Sequence, residues 1–317
     1  MSAVLSIDIG GSKVLVGVVD SKGTIHNKAK ETTKDITRAD DLLETINRLC
    51  HGVIRDYTGG DIICAGANIP GLADASRGLW VYSPFSGIRD YPLAQELSQR
   101  LEMPVFIEND VNACAMAEIR FGACADVRNF IWVTISNGIG GSIVTDGKVY
   151  TGEHGNAGEI GHVCVDEGGY MCGCGNRGCA EATAAGPAIL RRYIEYCGGA
   201  VDSAGLSAEI IANKARAGDE TACRVFEDTG YYLGKAVAAA VNLLNPQKVI
   251  LGGGVSASMD LFYPQMKKTL DCMVFRAANR DLCIERTALG YDAALFGAAT
   301  TGFEGYTGLV TPDLKRD

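Results

Sequence analysis

The stretch "VLSIDIGGSKVLVGVVDSKGTI", residues 4–25, constrains the fold more than any other. An apolar run enters a glycine turn, leaves as a second apolar run and reaches the turn "DSKG", which reads as paired β-strands. The pattern returns at "FIWVTISNGIGGSIVTDGKVY", residues 130–150, with its own glycine turn and its own closing turn, "TDGK". A repeat of this kind predicts two related halves facing one cleft.

Helices alternate with strands between and after these segments. In "RADDLLETINRLCHGVIRDY", Leu42, Leu43, Ile46, Leu49, Val53 and Ile54 recur at helical spacing. "DIICAGANIPG" reads as a buried strand and "PLAQELSQRLEM" as a short helix with Leu93, Leu97 and Leu101 on one face. "PVFIEND" is a strand and "VNACAMAEIRFG" a helix. "TGYYLGKAVAAAVNLLNP" is a long helix stopped at Asn245-Pro246, "KVILGGGVS" a buried strand, and "YDAALFGAATTGF" a final helix. The class is therefore α/β, and 317 residues suggest two domains.

Composition limits the partners. With 47% hydrophobic and 21% charged residues the chain can build a real core. A formal net charge of −9 argues against non-specific binding to nucleic acid or to an anionic membrane. The N-terminus shows no signal peptide, and no run reaches the roughly 18 apolar residues of a membrane helix. A cytoplasmic location is expected, where thiols stay reduced. Of twelve cysteines, Cys50, Cys64, Cys114, Cys223 and Cys283 lie among apolar neighbours and read as small buried hydrophobes.

Three glycine clusters follow buried strands. "DIGGSK", Asp8 to Lys13, is neither a Walker loop nor a dinucleotide fingerprint. It reads equally as a tight hairpin or as a phosphate loop, with Gly10 and Gly11 allowing close backbone approach, Ser12 adding a hydroxyl and Asp8 reaching a metal ion through water. "SNGIGGS" from Ser136 is the second cluster and "LGGGVS" from Leu251 the third, at the carboxyl end of a strand, where α/β sheets bind ligands. Together they favour a nucleotide. In "IENDVNACAMAE", Asn109 and Asp110 stand at a strand-to-helix junction; capping is the default role, and a general base for an alcohol is the alternative.

The segment "GEIGHVCVDEGGYMCGCGNRGCAEA" carries the most specific signal. His162, Cys172, Cys174 and Cys179 form the donor set of a structural tetrahedral zinc site. An iron–sulfur cluster wants a fourth cysteine. Cys164, two residues from His162, is expected to point away. A closed four-ligand shell leaves the ion no open position, so its role is structural.

With these motifs the chain resembles the ROK family of sugar kinases, repressors and related open reading frames, and within it the bacterial-type glucokinases. The resemblance runs from "DIGGSK" to the last helix and is most specific over the zinc segment. It implies an actin-like, hexokinase-type (ribonuclease H-like) fold of two α/β domains around a cleft. The expected division is residues 1–115, completed by a C-terminal helix at about 290–317, and residues 116–289, which hold the zinc segment 159–181. It implies ATP with Mg2+ and transfer of the γ-phosphoryl group to a hexose hydroxyl, O6 of glucose first. N-acetylmannosamine, N-acetylglucosamine, fructose, mannose and allose are the rival substrates.

Carried onto this sequence, the resemblance makes Asp110 the catalytic base and Asn109 a sugar ligand. Glu159 and Glu181 become sugar-binding carboxylates, and His162 both ligates zinc and touches the sugar. Gly11, Ser12 and Lys13 match the first phosphate loop, Asn137 and Gly138 the second, and Gly253 and Gly254 the approach to adenosine. The second loop reads Ser136-Asn137-Gly138 where the family has Gly-Thr-Gly, and Phe85 stands nearest to a sugar-binding asparagine of the family. Family repressors carry a DNA-binding domain ahead of the first loop, for which Asp8 leaves no room; a sugar-responsive regulator lacking that domain is the other class considered. A homodimer or higher homo-oligomer is the expected assembly.

Overall fold

The computed structural model describes residues 1–33, 36, 38–83, 86–199 and 201–310. Phe85 lies outside the described residues. The chain divides into two compact units: Met1–Asp126 with Thr151–Ala157 and Ala288–Asp317, and Val127–Tyr150 with Gly158–Thr287. No helix of the described residues is long and apolar enough to cross a membrane.

The first unit is built on strands β1 (Ala3–Ile9), β2 (Lys13–Asp20), β3 (Ile25–Thr32), β4 (Ile62–Ile69) and β8 (Val105–Asn109). They form one sheet in the order β3-β2-β1-β4-β8. β1–β2 and β2–β3 are antiparallel, whereas β1–β4 and β4–β8 are parallel. Every residue of β1 is buried, as its unbroken apolar run demands of a central strand. Short strands β5 (Leu72–Asp74), β6 (Leu79–Tyr82) and β7 (Arg89–Tyr91) make a separate three-stranded sheet.

Helix α1 (Ala39–Arg55) buries Leu42, Leu43, Ile46, Leu49 and Val53, the stripe read from sequence, while Ile54 is only half-buried. Helix α2 (Leu93–Leu101) buries Leu93, Leu97 and Leu101. These side chains join those of β1, β2 and β4 in one core. Helix α3 (Asp110–Arg120) follows β8 directly, and the last helix, α9 (Ala293–Val310), packs on β1, β4, β8 and α3.

The second unit repeats the plan. Strands β9 (Phe130–Ile135), β10 (Ile139–Thr145), β11 (Lys148–Tyr150), β12 (Lys248–Gly252) and β13 (Cys283–Arg286) are ordered β11-β10-β9-β12-β13. The pairings again run antiparallel, antiparallel, parallel, parallel. Its helices are α4 (Ala180–Ala184), α5 (Gly186–Tyr196), α6 (Ala208–Arg216), α7 (Glu220–Leu244) and α8 (Met259–Met273). The Asp219 side chain caps α7 by accepting from Ala222 N, so this helix begins well before the stretch read from sequence. It ends at Asn245 in the left-handed region, ahead of Pro246. Cys50, Cys64 and Cys114 are buried as expected, but Cys223 and Cys283 are only half-buried: the Cys283 thiol sits 3.0 Å from Glu285 Oε1 instead of in apolar packing.

Candidate active site and metal centre

In the first unit the parallel strands deliver side chains at their carboxyl ends. Asp8 near the end of β1 pairs in register with Asn68 of β4, and Asn109 at the end of β8 pairs with Ile69. The turn after β1 is closed internally: Gly10 N–H donates to Lys13 O at 2.9 Å, and Thr33 N–H donates to Ser12 O at 3.0 Å. Gly10 is thus a hinge of the hairpin whose own N–H is engaged, while Gly11 is exposed. A cavity of about 200 Å³ opens beside this turn, lined by Ile9, Gly10, Gly11, Pro70, Trp80 and Ser83 among others. The Trp80 indole N–H donates to Pro70 O at 2.9 Å and fixes that wall.

Burial pushes the Asp8 carboxyl up to about 6, and Lys13 pulls the other way. Lys13 in turn bonds the Tyr291 hydroxyl and lies 4.2 Å from the centre of that ring. Tyr291 escapes sequence reasoning, because 278 residues separate it from Lys13 and nothing in its own neighbourhood marks it.

Asn109 and Asp110 divide two roles that the sequence left joined. The Asn109 side chain is the N-cap of α3, accepting from Val111 N at 3.0 Å and Asn112 N at 3.1 Å. Its amide N–H groups donate to Gly71 O at 2.9 Å and towards Asp110 Oδ1 at 3.3 Å. Asp110 is the first helical residue, half-buried, with its carboxylate at the positive end of the helix dipole. Glu108, a further residue missed from sequence, is pushed up by burial and accepts from Asn109 N at 2.8 Å. The Cys114 thiol is held well above its ordinary value by burial first, then by the charges of Asp110, Asp8 and Glu118. Asp8 and Asp110 therefore share one neighbourhood.

In the second unit the metal-ligand set does come together. The donor atoms of His162, Cys172, Cys174 and Cys179 all lie within 4.8 Å of one another. Cys174 Sγ is 3.7 Å from Cys179 Sγ, and Cys172 Sγ is 3.7 Å from His162 Nδ1. Tetrahedral zinc with Zn–S near 2.3 Å and Zn–N near 2.0 Å separates its ligands by about 3.6–3.8 Å, so the donors fit the ion. Burial pushes the Cys172 and Cys179 thiols up, the latter to about 12, whereas the Asn176 N–H pulls Cys174 down. Cys164 stays apart, its thiol at 3.6 Å on Arg177 O.

The segment reaches this cluster across a tight contact. A side chain at Gly161 would meet Ile139 O at 1.9 Å, so only glycine lets the turn at Ile160–His162 rest on β10. The carboxylates flank the cluster: Glu159 Oε2 is 3.7 Å from His162 Nε2, and Glu181 Oε1 is 3.8 Å from Cys172 Sγ. Asn137 is exposed and Gly138 half-exposed in the turn after β9, and Gly138 lies against the Glu181 carboxylate. Gly253 sits in the left-handed region, where a Cβ would fall 2.4 Å from Ile135 O, while the space beside Gly254 is open. Asp8, Gly10, Gly11, Ser12, Lys13, Asn109 and Asp110 thus belong to the first unit, and the remaining candidates to the second.

The chain is similar to known proteins over nearly its whole length. The chain is 31% identical over 306 residues to a glucokinase of Thermotoga maritima, spanning 93% of this chain and 96% of that one. A ROK family glucokinase from Streptomyces griseus, solved in complex with glucose and AMPPNP, superposes with a TM-score of 0.86 at 30% identity, over 96% of this chain and 100% of that chain. A ROK family transcriptional regulator, a homologue of the E. coli MLC protein, gives 0.86 at 28% identity over 98% of this chain and 80% of the regulator. The family model described as ROK matches residues 4–301. The chain belongs to the ROK family.

Proposed function

We propose that the protein is an ATP:hexose phosphotransferase with glucose as its first substrate. The observation that carries this reading is the separation of duties at the head of α3. Asn109 is the N-cap and alone accepts from Asn112 N, whereas Asp110 Oδ1 only shares the Val111 N–H at 3.0 Å, and a carboxylate at a strand end can take a hydroxyl proton. The likeness to two glucokinases over nearly the whole chain supports it.

In this reading the nucleotide phosphates meet the N–H groups of Gly11 and Ser12, with Lys13 supplying charge, and Asn137 and Gly138 form the second loop. Gly254, with open space beside it, faces adenosine. When bound with the nucleotide, Mg2+ supplies charge neutralisation; Asp8 is the residue to hold its water shell. Phosphoryl transfer has a loose transition state, so the protein mainly positions groups and offsets charge. Asp110 accepts the proton of the attacking hydroxyl. Glu159 and Glu181 accept hydrogen bonds from sugar hydroxyls, as carboxylates do well. Asn109 acts through Asp110 and the helix cap, since its amide and carbonyl both bond within the protein. His162 would hold zinc through the Nδ1 that faces Cys172, leaving Nε2 towards Glu159 and the sugar. Zinc itself is structural, and we place the enzyme in a reducing cytoplasm, where its thiols stay available.

A coupled ADP-release assay over hexoses and N-acetylhexosamines tests the reading. Turnover with glucose supports it, and faster turnover with an N-acetylhexosamine shifts the substrate. The likeness to a transcriptional regulator favours one second reading, a sugar sensor without catalysis. Sugar binding without ADP release at any hexose would establish that alternative.

A further inference from the structure

A second cavity, of about 380 Å³, lies wholly in the second unit. One wall is the outer side of the zinc segment, where Met171 and Arg177 pair as a β-bridge. The other is formed by Arg192 and Tyr196 of α5 and Tyr232 of α7. Arg192 is only 4% exposed, yet its Nη1 has no hydrogen-bond partner among the described residues. Its nearest carboxylate, Asp228, stands 3.9 Å away from Nε and is already bonded by the Tyr196 hydroxyl at 2.5 Å. A buried guanidinium so loosely paired is costly unless an acceptor completes it.

The rest of the lining narrows the ligand. Arg177, exposed at the mouth and anchored to Gly169 O at 2.8 Å, adds a second guanidinium. Tyr170, Tyr196 and Tyr232 contribute three aromatic rings, and the Tyr232 hydroxyl orients the Asp166 carboxylate at 3.2 Å. Two guanidinium groups suit a phosphate. Tyrosine rings suit the C–H face of a pyranose, and a carboxylate accepts sugar hydroxyls. Each ring already carries a guanidinium, Arg191 on Tyr170, Arg224 on Tyr196 and Arg192 on Tyr232, and a neutral sugar leaves Arg192 Nη1 without an acceptor. The volume falls in the range of small-molecule sites, roughly 300–1,000 Å³.

We propose that this cavity is a second, non-catalytic site that binds a sugar phosphate, with phosphate on Arg177 and Arg192 and sugar against the tyrosines. Resting on the kinase reading, the ligand is the enzyme's own class of product.

Isothermal titration calorimetry of the zinc-loaded full chain tests it with glucose 6-phosphate, inorganic phosphate and glucose as separate titrants. Glucose 6-phosphate should bind at least tenfold more tightly than either of the others. Arg177→Gln and Arg192→Gln should each weaken it at least tenfold, and Arg177→Gln should keep the zinc content and the product-free kcat. Should Arg192→Gln fail to fold, the exposed Arg177→Gln decides alone. Unchanged affinity in Arg177→Gln, equal affinity for inorganic phosphate, or no heat from wild type at millimolar glucose 6-phosphate overturns the proposal. Because calorimetry needs no turnover, Arg-dependent binding in a chain that phosphorylates no hexose would leave this site standing while the kinase reading falls.

Discussion

The backbone N–H of Ile139 donates to Glu181 Oε2 at 3.1 Å, tying a carboxylate at the start of α4 to the first residue of β10. The bond fixes the end of the zinc segment to the turn that holds Asn137 and Gly138. A Cβ at Gly138 would lie 2.4 Å from the same oxygen, so Gly138→Ala must push the carboxylate aside. The flexible end of Glu181 can move, and the protein should fold with its zinc content unchanged. The lost charge-assisted bond is worth about 1.5–3 kcal/mol, and the KM for hexose should rise by about tenfold or more. Steady-state kinetics on both substrates check this, and an unaltered hexose KM would separate Glu181 from the sugar.

Asp110→Asn should lower kcat by about 10²–10⁴-fold, the usual worth of a positioned base. Its stability should fall by under about 1 kcal/mol, the typical value of a negative charge at a helix N-terminus. Asn109→Ala should behave differently, since removing the cap costs about 0.5–2 kcal/mol and frees Asp110 from its neighbour. Denaturant titration of both variants, read beside their kcat values, distinguishes base from cap. Wild-type turnover in Asp110→Asn would leave Asp110 without a chemical role.

The division of labour at this junction shows where sequence reading reaches its limit. Asn and Asp both suit an N-cap, so adjacent Asn109 and Asp110 looked interchangeable until the backbone showed that both accept from Val111 N and only Asn109 accepts from Asn112 N. The His162–Cys172–Cys174–Cys179 cluster was legible because its spacing is local: three of the four lie on one hairpin and its exit. The paired strands that open each half were legible because an apolar run, a glycine turn and a second apolar run recur in both. Lys13 with Tyr291, and Arg192 with its tyrosine-lined cavity, were not, since each joins segments far apart in the chain with no motif between them. The loop containing Phe85, read as a departure at the sugar, falls outside the described residues.

The buried Asp8 predicts a pH dependence of stability. Its carboxyl sits at about 6 in the folded chain against an ordinary 3.8, so folding favours the protonated form. Below about pH 4 the folded and unfolded chains both hold the proton, and no penalty exists. Between 4 and 6 the unfolded chain alone ionises and stability is lost; above 6 the loss is complete, on the order of 3 kcal/mol. Asp8→Asn should therefore stabilise the ligand-free protein at pH 7.5 and leave it unchanged at pH 4, while reducing activity. Urea midpoints at the two pH values measure the difference, and equal gains at both would rule out the charge as the cause.

Purified protein should hold close to one zinc per chain, because four donors complete the shell. Cys174→Ser, or removal of the ion by a strong chelator, should lower thermal stability and raise the hexose KM together, since Glu159 and Glu181 flank the cluster. Elemental analysis gives the stoichiometry. Protein free of zinc yet fully stable and active would remove the metal from the account.

Helix α9 closes the first sheet from the far end of the chain. Asn68 Nδ2 donates to Ala294 O at 2.7 Å, and the Cys64 thiol donates to Gly302 O at 3.3 Å. A ribosome therefore releases β1, β4 and β8 long before the helix that covers them. Nascent chains carry that apolar sheet face uncovered while the whole second unit is being made, and chaperone dependence should concentrate in this interval. Loss of the buried part of α9, which runs from Ala293 to Phe303, would leave a chain that begins correctly and never finishes its first unit.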